Sequence, residues 1–147
     1  EKAFIANIAT KPSQVDNILK WSKLLIQQYN GRLIPLASFY PKCDTWQADL
    51  TRCLESELVG FKFHPIYQNF NLDDPIMFPI YEQISSSGKF ILFHNGYDVA
   101  YSKEYDNASP IRMAKVLDKF PKLKVIASHV GGWQDWENVY KILVGNK

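Results

Sequence analysis

Five short apolar runs begin near residues 3, 33, 58, 90 and 123, at intervals of 30, 25, 32 and 33 residues. Each is followed by a polar or glycine-containing loop and then by a segment with helical periodicity. That is the pace of βα units joined by right-handed crossovers, and the spacing predicts a parallel α/β sheet of about five units. In the first unit, Pro12 and Ser13 suit a helix start, and Val15, Ile18, Leu19, Ser22, Leu25, Ile26 and Tyr29 recur at helical spacing until Asn30 and Gly31. Further on, Thr45, Asp74 and Ser109 are plausible N-caps, with Pro75 and Pro110 in first helical turns. Pro79 would remove a hydrogen bond inside a longer helix. The sequence therefore predicts a short turn at 75–78 and a helix from Pro79 to Ser87, ended by Gly88.

All three histidines of the chain stand at the ends of apolar runs: His64 after residues 58–63, His94 after 90–93 and His129 after 123–127. The carboxyl ends of parallel strands are where ligands and catalytic groups collect, so Lys62, His64, His94 and His129 are expected to converge on one edge. Strand alternation puts Gly60, Lys62 and His64 on one face and Phe61 and Phe63 on the other. In a barrel the phenylalanines, Phe93 included, would face the helices. Phe90, Leu92 and His94 would share the inner face, as would Val125, Ala127 and His129.

Several function classes are disfavoured. The 147 residues are 46% hydrophobic and 22% charged with a net charge of +2, and the lysines are scattered, which argues against nucleic-acid and membrane binding. No GXGXXG or P-loop follows a strand. Cys43 and Cys53 have no metal-binding spacing and suit a structural role in a reducing cytoplasm. No linker or low-complexity tract divides the chain, so residues 1–147 read as one domain. The start at Glu1 rather than Met points to a fragment or a processed chain.

A histidine at a strand end can ligate a metal through one ring nitrogen while a neighbour fixes the other. His94 and His129 are each followed by glycines that leave room for close backbone approach or a tight turn. His64 either joins the site or merely marks the strand exit before Pro65. Lys62, one inward layer below, needs a carboxylate partner, access to the edge, or modification to a carboxylated metal bridge. Tyr97, Asp98, Tyr101 and Tyr105 line a substrate pocket or cover the barrel mouth. Asp73 and Asp74 read first as helix caps, and Trp133 and Trp136 as helix-face packing.

GlyPheLysPheHisPro at 60–65, PheHisAsnGly at 93–96 and SerHisValGlyGly at 128–132, with PheProLysLeuLysVal at 120–125 leading in, make the chain resemble the amidohydrolase superfamily. The nearest likeness is to the branch that includes aminocarboxymuconate-semialdehyde-decarboxylase-like proteins. The resemblance implies a (β/α)8 TIM barrel with a divalent metal, often zinc, at the carboxyl ends of its strands. It implies that His94 is the metal-binding histidine of the fifth strand. His129 then corresponds to the sixth-strand histidine, an acid/base in mononuclear members and a second-metal ligand in others. The family's first-strand HisXaaHis pair and last-strand aspartate have no counterparts here, so the chain reads as strands two to six of eight.

These features imply a metal-dependent hydrolase or decarboxylase acting on a small carbonyl or carboxylate compound, with His129 catalytic, His94 on the metal, and Lys62, His64 and Tyr97 around the substrate. With this ligand set incomplete, the isolated chain is expected to hold metal weakly or not at all. Exposed sheet edges leave self-association open. The rival reading is a non-enzymatic α/β module that binds a ligand at its strand ends or serves as an interaction domain.

Overall fold

The five apolar runs each contribute a parallel strand in the computed structural model, which describes residues 1–101, 104 and 106–145. β1 (Ala3–Ile5) pairs with β2 (Leu33–Pro35), while β3 (Gly60–Phe63) pairs with β4 (Phe90–Phe93), and β4 with β5 (Lys124–Ala127). The two groups join at Ala37, which bridges to Phe61: Ala37 N–H donates to Gly60 O at 2.9 Å and Lys62 N–H to Ala37 O at 2.7 Å. Strand order thus follows chain order. That is the succession of a barrel wall, whereas a doubly wound sheet reverses direction part-way. β2 is shorter than its apolar run because, after one more bond to β1 from Leu36 N–H to Ile5 O at 2.9 Å, the chain turns to β3 at Ala37.

The helices form where periodicity and punctuation place them. α1 (Val15–Gln28) follows a 3-10 turn at Pro12–Gln14 and stops at Asn30 and Gly31, with φ of 49° and 70°. α2 (Trp46–Glu55) puts Leu50 and Cys53 into the core. Pro75–Met77 is a 3-10 turn, and α3 (Phe78–Ser87) follows, ended by Gly88 at φ 75°. Pro79 therefore lies in the first turn, where its missing N–H has no intrahelical acceptor to lose. α4 (Pro110–Lys119) is capped by Ser109, whose hydroxyl accepts from Arg112 N–H at 3.4 Å. Thr45 and Asp74 occupy cap positions without capping: the Thr45 hydroxyl donates to Asp49 at 3.0 Å, and Asp74 pairs with Lys42 at 3.1 Å. Beyond β5, α5 (Trp136–Asn138) runs into a π-helical turn at Val139–Leu143.

The core lies between the helices and the outer face of β3 and β4. Phe61, Phe63 and Phe93 are fully buried there. Phe63 stacks on Phe61 and Phe93 and meets Phe39 and Phe70 edge-on, while Tyr81 of α3 closes on Phe93. These aromatic faces take the helix side, as alternation predicts.

Alternation fails as a guide on β5. Register pairs Ile91 with Val125 and Phe93 with Ala127, so Val125 and Ala127 lie on the helix side with the phenylalanines, not on the inner face. Leu92 and Ile126 are the inner pair. His129 would follow Val125 and Ala127 outward if the strand ran on. Instead the chain leaves the strand after Ala127, and His129 and Val130 take left-handed φ of 58° and 55°, which returns the imidazole to the inner edge.

Candidate active site

Three loops carry the site, and buried polar contacts lock them together. The Gln68 side-chain amide donates to Ala9 O at 2.9 Å and to Phe39 O at 2.8 Å, and its oxygen accepts from His64 N–H at 2.7 Å. One side chain thus ties the exits of β1, β2 and β3. Gly96 holds the next pair of loops. At φ 86° it lies so close to the Trp133 backbone that any Cβ would collide with it. Trp133 N–H donates to Asn95 O and Tyr97 N–H to Trp133 O, each at 3.0 Å, which zips the loop after β4 to the loop after β5.

On this frame the histidines converge. The His64 and His94 rings stack with centroids 3.9 Å apart, and Tyr67 stacks on the other side of His64 at 3.8 Å. His94 Nδ1 lies 3.1 Å from His129 Nε2, and His94 Nε2 lies 3.3 Å from Tyr97 O. Asp98 enters from the loop after β4, its Oδ2 3.3 Å from His64 Nε2 and 4.0 Å from His94 Nε2. All three side chains are largely buried, whereas His129 is exposed at the rim.

Electrostatics favour neutral imidazoles. Burial, helped by the neighbouring His94 and Lys62, pushes His64 down to about 3. Burial also lowers His94, against the opposing pull of its contact with Tyr97 O. Lys62 is 7% exposed and burial pushes it down to about 8. It forms no ion pair with a described residue, so the carboxylate partner that its position called for is not seen among them. Tyr67 is raised, first by the Asp98 charge and then by burial and their hydrogen bond. Such clustering of displaced titratable groups marks functional sites more often than ordinary surface.

A pocket of about 300 Å³ opens above these groups, lined by Tyr67, His94, Tyr97, Asp98, His129 and Trp133, among others. Of the expected site residues, His94, His129 and Tyr97 line it directly. His64 and Lys62 lie beneath it, and Tyr105 falls outside the described residues. Asp98 lines the pocket, one of its two sequence readings, and also faces the imidazoles. Trp133 departs from its reading as helix-face packing and contributes a pocket wall, its ring 5.9 Å from His129. The spacing of Asp98 four residues after His94 was the available signal, and a non-helical loop hides that signal from pattern reading.

His64, His94 and Asp98 each offer one ligand atom, and the three atoms lie within 4.8 Å of one another. Two neutral imidazoles and a carboxylate suit a first-row divalent ion, and three protein donors is the number common in catalytic zinc sites. The donor set fits a divalent metal.

The amidohydrolase family profile matches residues 5–143. This chain is an amidohydrolase-family member. It is 24% identical to the dihydroorotase of Shewanella woodyi over 104 residues, covering 65% of this chain and 30% of that one. Among solved structures it superposes on a TIM-barrel protein from Bordetella bronchiseptica with a TM-score of 0.71 at 17% identity, covering 97% of this chain and 52% of the other. It also superposes on a 5-carboxyvanillate decarboxylase from Novosphingobium aromaticivorans, complexed with manganese and 4-hydroxy-3-methoxy-5-nitrobenzoic acid. That match has a TM-score of 0.63 at 17% identity, covering 82% and 40% of the two chains. The chain therefore spans between about a third and about half of the proteins it matches, and its five strands form a partial TIM barrel.

Proposed function

We propose that this chain is the central portion of a divalent-metal-dependent hydrolase or carboxy-lyase acting on a small carbonyl or carboxylate compound. The observation that carries the reading is the gathering of His64, His94 and Asp98 donors within 4.8 Å beneath an open pocket, with His129 3.1 Å from His94. The metal would be held through His94, and when bound it supplies Lewis-acid polarisation of a substrate oxygen. Zinc and manganese both suit the imidazole–carboxylate set.

His129 is the proton-transfer group in this reading. It is exposed at the pocket rim, where a substrate reaches it, and His94 and Trp133 hold its ring from two sides. Trp133, Tyr67 and Tyr97 wall the pocket and exclude water from one side of a small bound compound. Hydrolysis and decarboxylation use the same two elements, a polarising cation and a positioned acid/base. The free thiols Cys43 and Cys53 fit a reducing cytoplasm, and burial raises Cys53 to about 12, which keeps it protonated and inert.

The test pairs turnover with metal content in the protein that carries this segment, assayed on a panel of small carboxylates and lactones. His129→Asn is expected to keep the metal and lower turnover by roughly 10²–10⁴, the usual contribution of a positioned acid or base. His94→Ala is expected to lose the metal itself. Wild-type turnover in both variants would remove His94 and His129 from the machinery, and no metal-dependent turnover on any candidate would return the chain to the rival reading of a non-catalytic binding module.

A further inference from the structure

The carboxyl edge of the sheet is closed in two ways. From β3 to β5 the backbone ladder runs on past the strands: His94 N–H donates to Phe63 O and Ser128 N–H to Phe93 O, each at 3.0 Å. Between β2 and β3 it is interrupted. The bridge between Ala37 and Phe61 sets a register in which the next bond would run from His64 N–H to Phe39 O. The Gln68 amide stands in that gap: its oxygen accepts from His64 N–H at 2.7 Å, and its nitrogen donates to Phe39 O at 2.8 Å. The same nitrogen donates to Ala9 O at 2.9 Å, beyond the end of β1. Both amide protons are used and the side chain is fully buried, so its orientation is fixed. An amide group spans more than a single hydrogen bond, and it therefore holds the exits of β2 and β3 further apart than a ladder would.

We infer that Gln68 is a positioning residue of the active site, acting through His64; the inference rests on the reading of this edge as catalytic. Gln68 governs both ends of the turn that follows β3. Its own N–H donates to His64 O at 2.9 Å, so both backbone polar groups of His64 bond to this one residue. Tyr67 lies on that turn and stacks on His64 at 3.8 Å, and His64 stacks on His94 at 3.9 Å with the planes 16° apart. The column of three rings takes its place from one buried amide, and His94 at its end faces His129 at 3.1 Å. A shift of His64 is thus passed on through packed rings, and a misplacement of about 1 Å at reacting groups costs as much as about 100-fold in rate. Ser38 offers an internal comparison. Its hydroxyl accepts from Ala9 N–H at 3.0 Å, which closes the same seam through β1 and not through His64.

The experiment compares Gln68→Met, which keeps the length and removes the amide, with Ser38→Ala in the protein that carries this segment. Gln68→Asn, whose amide falls one methylene short of the gap, is the second variant. Folding is followed by circular dichroism, ring placement by histidine ¹H–¹³C spectra, and turnover on the panel of small carboxylates and lactones. Both Gln68 variants are expected to lower kcat by roughly 10–100-fold while KM stays within about threefold of wild type. They are also expected to shift the ring resonances of His64 and His94, which report the stacking. Ser38→Ala is expected to lower stability yet keep turnover within about threefold and leave those resonances in place. A folded Gln68 variant with wild-type turnover and ring shifts would overturn the inference, as would equal losses in Ser38→Ala. Failure of both Gln68 variants to fold, with Ser38→Ala folded, would overturn it too, because Gln68 would then serve the core alone. The enzyme reading fails separately: without turnover on any candidate, the ring shifts still decide whether Gln68 places His64 and His94.

Discussion

The inner wall at β3 and β4 and the wall at β5 are built differently, although each delivers a histidine to the same pocket. Behind His64 and His94, Phe61, Phe63, Ile91 and Phe93 are fully buried in a continuous apolar layer. Behind His129, β5 alternates exposed and half-buried residues, with Ile126 45% exposed. On its helix side lies an apolar cavity of about 430 Å³ bordered by Met113, Leu117, Phe120, Val125, Val139 and Leu143. The two candidate histidine donors therefore stand on packed core, whereas Asp98 and the candidate acid/base stand on loops held together by backbone hydrogen bonds. A precise donor set needs a rigid support, whereas a group that only passes a proton tolerates an open edge.

The sharpest way to break this contrast is to cut both walls equally. Phe63→Ala removes a ring that contacts Phe39, Phe61, Phe70 and Phe93, and is expected to cost roughly 3–5 kcal/mol in urea unfolding. Ile126→Ala, at an exposed inner position of β5, is expected to cost less than about 1 kcal/mol. Comparable losses would mean that β5 is supported as firmly as β3.

The next effect falls on the seam between the walls. Gly96 sits at φ 86° against the Trp133 backbone, so Gly96→Val meets both a forbidden conformation and a steric clash. A loss of about 3 kcal/mol or more is expected, together with faster amide exchange at Tyr97 and Trp133, whose N–H groups form the zipper. Exchange rates unchanged at those two amides would show that the loops are held by something else.

These regions also differ in how far the sequence revealed them. The βα pace, the turn before Pro79, the Gly88 stop and the helix-facing phenylalanines all follow from local rules: period, proline geometry and strand alternation. His64 and His94 were legible because they continue the alternation of β3 and β4 without interruption. The face of Val125 and Ala127 was misread because alternation was extended from His129 back through a backbone reversal that no periodicity marks. Gln68 goes unmarked in the sequence, and Asp98 reads there only as pocket lining or mouth cover, for another reason. Both act across loops, and contacts such as Gln68 to Ala9 span 59 residues of chain.

That backbone reversal supplies a smaller test. Val130 is a β-branched residue at φ 55° whose side chain is 82% exposed, so it carries left-handed strain with little packing in return. Val130→Gly is expected to raise stability by about 1 kcal/mol, the left-handed penalty less part of the glycine entropy cost. If the turn is what returns His129 to the inner edge, the variant should also loosen that ring, seen as weaker ¹⁵N coupling between His94 and His129. A variant less stable than the wild type would show that Val130 packs against the neighbouring cavity instead.

The smallest effect concerns a charged tie between the two walls. Asp73, in the segment leading from β3 to α3, accepts from Arg112 at 2.5 Å and from Lys115 at 3.0 Å, both on α4, the helix that feeds β5. Burial works to raise its pKa, but the hydrogen bonds and charges of Arg112 and Lys115 outweigh it, and the net direction is down. A carboxylate depressed in the folded state contributes stability that is present above its unfolded pKa of about 3.9 and is lost as pH falls through the folded value. Wild-type stability should therefore fall below about pH 4, and Asp73→Asn should be less stable than wild type at pH 7 while its acid limb is flatter. Because Lys115 is 60% exposed, salt should narrow the difference at pH 7. Parallel stability curves for the two proteins from pH 3 to 7 would mean that α4 is held to the β3 wall by its apolar contacts alone, with the ion pairs decorating a seam the core already closes.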